Sequence, residues 1–91
     1  MNRVFLAGGL RSHIGIRNVG AGLASTLCQR YGIQGPDALI CGNAVGPGGN
    51  IGRLLLLEGG LPERAAAFTI DLQCASGLAA IHMAAPSIMA G

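Results

Sequence analysis

The chain has 91 residues, of which 51% are hydrophobic and 11% are charged, and its formal net charge at pH 7 is +2. Whole domains most often contain about 100–150 residues, so this length predicts one small domain or part of one. Average soluble proteins have about 25% charged residues, so the low charge here predicts apolar surface that needs a partner. The six basic residues are scattered arginines, which argues against nucleic acid as the main partner.

The apolar segments are too short to predict a membrane protein. The run Leu54 to Leu57 is ended by Glu58, far short of the roughly 20 residues of a spanning helix. The N-terminus has one charge and a short apolar core, unlike a secretory signal peptide, so a cytoplasmic location is expected. The cysteines have no CxxC spacing and predict neither a disulfide framework nor a zinc site; they are Cys28, Cys41 and Cys74.

The first half of the chain predicts a strand, a loop and a helix. The apolar run Arg3–Ala7 is closed by two glycines and is typical of a strand. Leu10–Gly20 has no clear period and is interpreted as a loop. Ala21–Tyr31 carries an apolar residue at every fourth position, which predicts a helix that stops at Gly32.

The second half repeats the alternation of strand and helix. We predict a buried strand over Ala38–Cys41, a glycine-rich loop over Gly42–Gly49, and a helix from an N-cap at Asn50 to Glu58. A third strand, Ala66–Gln73, leads into a final helix. The βαβαβα order predicts an α/β fold with a mostly parallel sheet, and places the glycine-rich loop at the strand ends where such sheets bind ligands.

Cys74 lies where the third strand meets the final helix. Backbone N–H groups at a helix start stabilise a thiolate, and the small residues Ala75, Ser76 and Gly77 leave room for an acyl group. A free cysteine is more often a small buried hydrophobe. The strand, cysteine and helix together favour a nucleophile instead.

These segments resemble the N-terminal part of a thiolase. The resemblance is carried by Cys74-Ala-Ser-Gly77-Leu-Ala-Ala-Ile, preceded by Asn43-Ala-Val-Gly and Gly49-Asn50-Ile-Gly-Arg53 and followed by Ile88-Met-Ala-Gly91. Arg11-Ser-His-Ile-Gly15 stands where thiolases have an Arg-Thr-Pro-Ile-Gly-like turn. The segment between Gly15 and the first helix is shorter than in a thiolase. We therefore expect residues 1–91 to be an incomplete thiolase N-terminal domain that ends after the nucleophile helix.

The resemblance implies that Cys74 attacks a 3-ketoacyl-CoA or acetyl-CoA and passes the acyl group to CoA or to an acetyl-CoA carbanion. The CoA thioester is a substrate, and no bound cofactor is expected. In thiolases a Gly-His-Pro histidine and a second cysteine, both from the C-terminal half, move the protons. Neither motif occurs in this sequence, so little turnover is expected from this chain alone. Partners would be the acyl-CoA, another copy of the chain, or a missing C-terminal half.

Other polar residues are given structural roles. His82 lies about 12 Å from Cys74 along a helix, too far to act as its base, and is interpreted as a helix-packing or exposed histidine. Ser76 is predicted to bond to backbone in the first helical turn. The remaining candidates are interpreted as packing, loop or solvated residues, with phosphate binding by the two arginines less favoured: Cys28, Cys41, His13, Arg11 and Arg53. The loop Gly42–Gly49 lacks a P-loop ending, and its glycines are expected to take positive φ.

Two alternatives stay open at this stage. One is a non-catalytic truncated thiolase-like chain, or a subunit-interaction module that binds through the Leu54–Leu57 helix. The other is part of a condensing enzyme that uses acyl-carrier protein, since such enzymes share the strand, cysteine and helix plan.

Overall fold

The computed structural model describes residues 2–13 and 19–91, and within these ranges the chain has three helices and two strands. The elements run in the order α1 (Gly20–Arg30), β1 (Ala38–Gly42), α2 (Ile51–Glu58), β2 (Ala66–Ile70) and α3 (Ser76–Ala90). Met1 and residues 14–18 lie outside the described residues. They include the middle of the predicted loop Leu10–Gly20 and the end of the Arg11–Gly15 segment.

The predicted α/β class and parallel sheet are confirmed. β1 pairs with β2 in parallel, from Ala38 opposite Ala66 to Gly42 opposite Ile70. Parallel neighbours need a long crossover connection, and α2 provides it. α2 packs on β2 and β1, α3 packs mainly on β1, and α1 packs on α2. Both strands therefore end at the edge of the sheet where β2 leads into Cys74.

The strand predicted over Arg3–Ala7 is wrong. Residues 2–13 contain no strand, and the side chains of Phe5 and Leu6 are 77% and 85% exposed. An apolar run becomes a strand only where a neighbouring strand pairs with its backbone. Here Asn2 bonds instead to the end of α3, its backbone N–H donating to Met89 O at 3.3 Å and its side chain to Ile88 O at 3.2 Å. The described residues thus follow an αβαβα order.

The predicted helix boundaries agree with the observed caps. α1 is followed by Gly32, whose φ of 66° is a left-handed conformation that glycine adopts readily after a helix end. Asn50 is the N-cap of α2, because its side-chain oxygen accepts the Arg53 N–H at 3.2 Å.

The core is small and is centred on α2. Leu56 is fully buried, whereas Leu54 and Leu57 are 49% and 45% exposed. Within this chain the sheet covers only one face of α2, so Leu54 and Leu57 stay uncovered. No helix in the described residues is long and apolar enough to cross a membrane. The cytoplasmic location and the domain limits stay predictions.

The last helix packs through its small side chains. Ser76 and Ala80 are buried one turn apart, while Leu78 and Ile81 are 63% and 59% exposed. Small residues let α3 approach β1 closely, so the larger apolar residues lie on its outer surface. The low charge of the sequence is reflected in this exposed apolar surface.

Candidate active site

Cys74 lies in a five-residue turn, 71–75, between β2 and α3, and its side chain is exposed. The predicted strand was too long, since β2 ends at Ile70 rather than at Gln73. The helix begins at Ser76 with Ala75 as its N-cap. Cys74 therefore precedes the helix cap instead of occupying the first helical turn.

The chain reverses at Gln73, immediately before the cysteine. Gln73 has a φ of 51° and is the one non-glycine residue among those described with a positive φ. Such a left-handed conformation costs roughly 1–2 kcal/mol for a residue with a Cβ. Asp71 supports it, because its Oδ1 accepts the Gln73 N–H at 3.0 Å. This conformation turns the chain out of the sheet and presents Cys74 at the surface.

The Ser76 side chain, at the start of α3, bonds to the backbone of the two residues before Cys74. Its Oγ accepts the Leu72 N–H at 2.8 Å and donates to Gln73 O at 2.6 Å. The predicted backbone role of this hydroxyl is confirmed, although its partners lie in the turn before the helix rather than in the first helical turn. Backbone bonds add to the turn, with the Ala75 N–H donating to Leu72 O and the Ser76 N–H to Gln73 O, each at 3.1 Å.

The glycine-rich loop begins against the same turn. A Cβ at Gly42 would lie 2.5 Å from the Ser76 carbonyl carbon, so the end of β1 contacts the start of α3 directly. The Asn43 N–H then donates to Ile70 O at 2.9 Å. The loop thus lies beside the cysteine turn, as its place at a strand end predicted.

The expectation that the loop glycines take positive φ holds for one of them. Gly49 has a φ of 86°, whereas Gly42 and Gly46 do not have a positive φ. These two glycines instead make room for close neighbours: the Ser76 backbone at Gly42 and the Asn43 side chain at Gly46.

An apolar groove of about 640 Å³ runs from the turn along α3. It is lined by Ile70 and Leu72 on one side and by Leu78, Ala79 and Met83 on the other. Ala75, the residue after Cys74, also lines it, so the groove starts next to the cysteine. His82 borders the groove and is exposed, which is one of the two roles expected for it.

The other two cysteines lie in different surroundings. Cys28 is half-buried on α1, and Cys41 is half-buried within β1. The Cys41 thiol donates to Gly42 O at 3.6 Å, and burial raises the pKa of the Cys41 thiol, which keeps it protonated. Both placements fit the packing role predicted for them.

Arg53 has protein partners, whereas Arg11 and His13 have exposed side chains. The Arg53 Nη1 donates to Glu63 O at 2.8 Å and to Ala65 O at 3.3 Å, which fixes the turn before β2. Arg11 and His13 are exposed in the N-terminal segment. None of these side chains is brought to Cys74 by a hydrogen bond among the described residues.

Sequence reasoning missed three residues that shape the site. Asp71 and Gln73 form the chain reversal, and Gly42 leaves room for the first residue of α3. An aspartate two residues before a bend is a known turn signal, so Asp71 was recognisable in principle. The left-handed conformation of Gln73 had no sequence signal, because glutamine is not a residue that favours it.

Comparison with known proteins gives the family. The family model for the thiolase N-terminal domain matches residues 2–91. "Putative acetyl-CoA C-acetyltransferase YhfS" of Bacillus subtilis (strain 168) is 51% identical over 55 residues, which are 60% of this chain and 15% of the relative. "Putative acetyl-CoA C-acetyltransferase VraB" of Staphylococcus aureus (strain COL) is 49% identical over 55 residues, covering 60% and 14% respectively. No match was found among solved structures.

Proposed function

This chain belongs to the thiolase family, and from that premise we propose that Cys74 is the nucleophile of a thiolase-type acyltransferase acting on CoA thioesters. The observation that carries the proposal is the place of Cys74. It is exposed on a strained turn at the edge where both parallel strands end. Cys28 and Cys41 are half-buried and lack such a turn.

The proposed step is acyl transfer to sulfur. The Cys74 thiolate attacks the thioester carbonyl carbon, forming a C–S bond and a tetrahedral oxyanion. The oxyanion collapses, the C–S bond to CoA breaks, and CoA leaves as a thiolate that takes up a proton from water. Charge and atoms balance, since one thioester and one thiolate are exchanged for another pair.

The backbone N–H of Cys74 is the donor that we assign to the oxyanion. The amides of Ala75 and Ser76 already donate to Leu72 O and Gln73 O. One such donor is worth on the order of 3 kcal/mol in acyl-transfer sites. The apolar groove that starts at Ala75 offers a path for an acyl chain beside the sulfur.

The chain spans about 15% of the length of the curated relatives that it matches. We therefore propose acyl acceptance by Cys74 for these residues and complete turnover for a longer assembly. His82 is not proposed as the base, because it lies eight residues beyond Cys74 on the exposed surface of α3.

A brief iodoacetamide pulse near neutral pH, with and without acetyl-CoA, tests the proposal. Trypsin cleaves after each arginine and so separates the three cysteines into peptides 18–30, 31–53 and 65–91. We expect Cys74 to be labelled first and acetyl-CoA to slow its labelling alone. Equal labelling of the three thiols, or labelling of Cys74 that acetyl-CoA leaves unchanged, would contradict the proposal.

A subunit-interaction module is the second candidate, and exposed leucines favour it. Leu54 and Leu57 on α2 and Leu78 on α3 are 49%, 45% and 63% exposed. Sedimentation of the chain over a range of concentrations tests this candidate. A stable complex whose Cys74 is unreactive would favour it over the enzyme.

A further inference from the structure

Ser76 is the one buried polar side chain among the described residues, at 4% exposure. A buried hydroxyl needs partners, and both partners of this one lie in the turn that carries Cys74. Its Oγ accepts from the Leu72 N–H and donates to Gln73 O. The hydroxyl therefore spans the cysteine, bonding to the two residues before it from a position two residues after it.

These bonds act on a backbone that would otherwise relax. Gln73 is held in the left-handed region, which a residue with a side chain leaves unless its surroundings determine it. The Asp71 carboxylate accepts the Gln73 N–H. The Ser76 hydroxyl donates to the Gln73 carbonyl and accepts the Leu72 N–H. Removing the Ser76 hydroxyl leaves the part-buried Leu72 N–H without this acceptor and frees the turn to change.

We propose that Ser76 is a positioning residue for acyl transfer, which holds the backbone that presents the Sγ and the N–H of Cys74 to a thioester. The inference rests on the proposed role of Cys74 as nucleophile. Ser76 touches neither substrate nor the reacting atoms. It acts through the Leu72–Ala75 backbone, and the orientation of that backbone decides whether one thioester can meet both the sulfur and the amide.

Two reagents distinguish a correctly positioned Cys74 thiol from one that is only exposed. Iodoacetamide reacts with any accessible thiolate, whereas acyl transfer from phenyl thioacetate is accelerated further when an oxyanion donor lies beside the sulfur. Phenyl thioacetate has a good leaving group that requires no protein acid. The rate at which a hydroxylamine-sensitive acetyl group appears on the peptide 65–91 is the acylation rate of Cys74.

We expect Ser76→Ala to lower the acylation rate of Cys74 on the order of 10- to 100-fold, as misplacement of reacting groups does. Alkylation by iodoacetamide should change little, because the Cys74 thiol stays exposed without the Ser76 hydroxyl. Ser87→Ala, on the exposed last turn of α3, is the matched control and should change neither rate.

Relief of the strain at position 73 supplies a rescue test. Glycine adopts a φ of 51° without strain, so Gln73→Gly in the Ser76→Ala background should recover part of the lost acylation. Equal acylation by wild type and Ser76→Ala, or parallel losses of acylation and alkylation, would overturn the proposal.

If Ser76→Ala unfolds the chain, iodoacetamide will label Cys41 as fast as Cys74. In that case the Ser76→Thr variant tests the positioning role. Threonine keeps the hydroxyl, so a folded Thr variant that acylates like wild type supports the positioning role, and one that has lost acylation overturns it. A wild-type chain that never acylates Cys74 would instead refute the proposed function itself.

Discussion

Gly42, the last residue of β1, lies against Ser76, the first residue of α3, so closely that a Cβ at position 42 would fall 2.5 Å from the Ser76 carbonyl carbon. No side chain fits between the strand end and the helix start. The contact joins two elements 34 positions apart in the sequence and sets where the cysteine turn stands on the sheet.

Gly42→Ala should therefore destabilise the fold by about 1–3 kcal/mol, because the new methyl meets backbone that cannot rotate away. The free energy of unfolding from a urea titration measures the effect. Gly22→Ala is the matched control, since nothing lies within 4 Å of its added Cβ in the exposed middle of α1. That control should gain about 0.5–1 kcal/mol from lower backbone entropy. Two equal responses would show that the contact is unimportant.

Thr69 connects β2 to the start of α2. Its Oγ1 accepts the buried Gly52 N–H at 2.8 Å and donates to the Asn50 cap oxygen at 2.7 Å. Thr69→Val keeps the shape but leaves that amide without its acceptor, so we expect a loss of about 1–3 kcal/mol in unfolding free energy. Thr69→Ser retains the hydroxyl and should lose less. A valine variant as stable as wild type would contradict this assignment.

Leu56 and Leu54 give a paired test of where the core lies. Leu56 is 0% exposed and Leu54 is 49% exposed on the same helix. Leu56→Ala should cost about 2–5 kcal/mol, as truncation of a fully buried leucine does. Leu54→Ala should cost far less in the isolated chain. If Leu54→Ala were equally costly in unfolding experiments at high protein concentration, α2 would be buried against another copy.

The raised pKa of the Cys41 thiol should make the stability of the fold depend on pH. Burial raises the pKa of the Cys41 thiol above its ordinary value of 9.0, so the unfolded chain loses this proton at lower pH than the folded chain. Its contribution to stability is fully present below pH 9.0 and is lost as the pH rises through the higher folded pKa. The difference in unfolding free energy between wild type and Cys41→Ala should shrink over that alkaline range. A difference that stays constant there would be inconsistent with the burial of this thiol.

Local signals in the sequence were enough to predict most elements. The Asn50 cap, the Gly32 stop and the alternation of helix and strand depend on neighbouring residues, and each agrees with the structure. The segment Arg3–Ala7 failed because a strand is defined by its partner, and residues 2–13 pair with no strand here.

The candidate site was only partly predictable for the same reason. The position of Cys74 between strand and helix followed from the pattern, but the reversal at Gln73 also depends on the bond from the Ser76 hydroxyl, which no local propensity encodes. The buried face of α3 was also hidden, since its small residues lie inward and Leu78 lies outward. Apolar spacing predicts that a helix forms. It does not predict that the small residues face the sheet when the helix packs closely against it.

Acylation of Cys74 by a thioester tests the central claim most directly. The chain would be incubated with phenyl thioacetate at neutral pH, digested with trypsin, and its three cysteine peptides compared by mass, with Cys74→Ala as the control. The account predicts a hydroxylamine-sensitive acetyl group on peptide 65–91 well before the other two, and its absence in the control. An acetyl group spread evenly over the three peptides, or found first on Cys28 or Cys41, would contradict a nucleophile at Cys74.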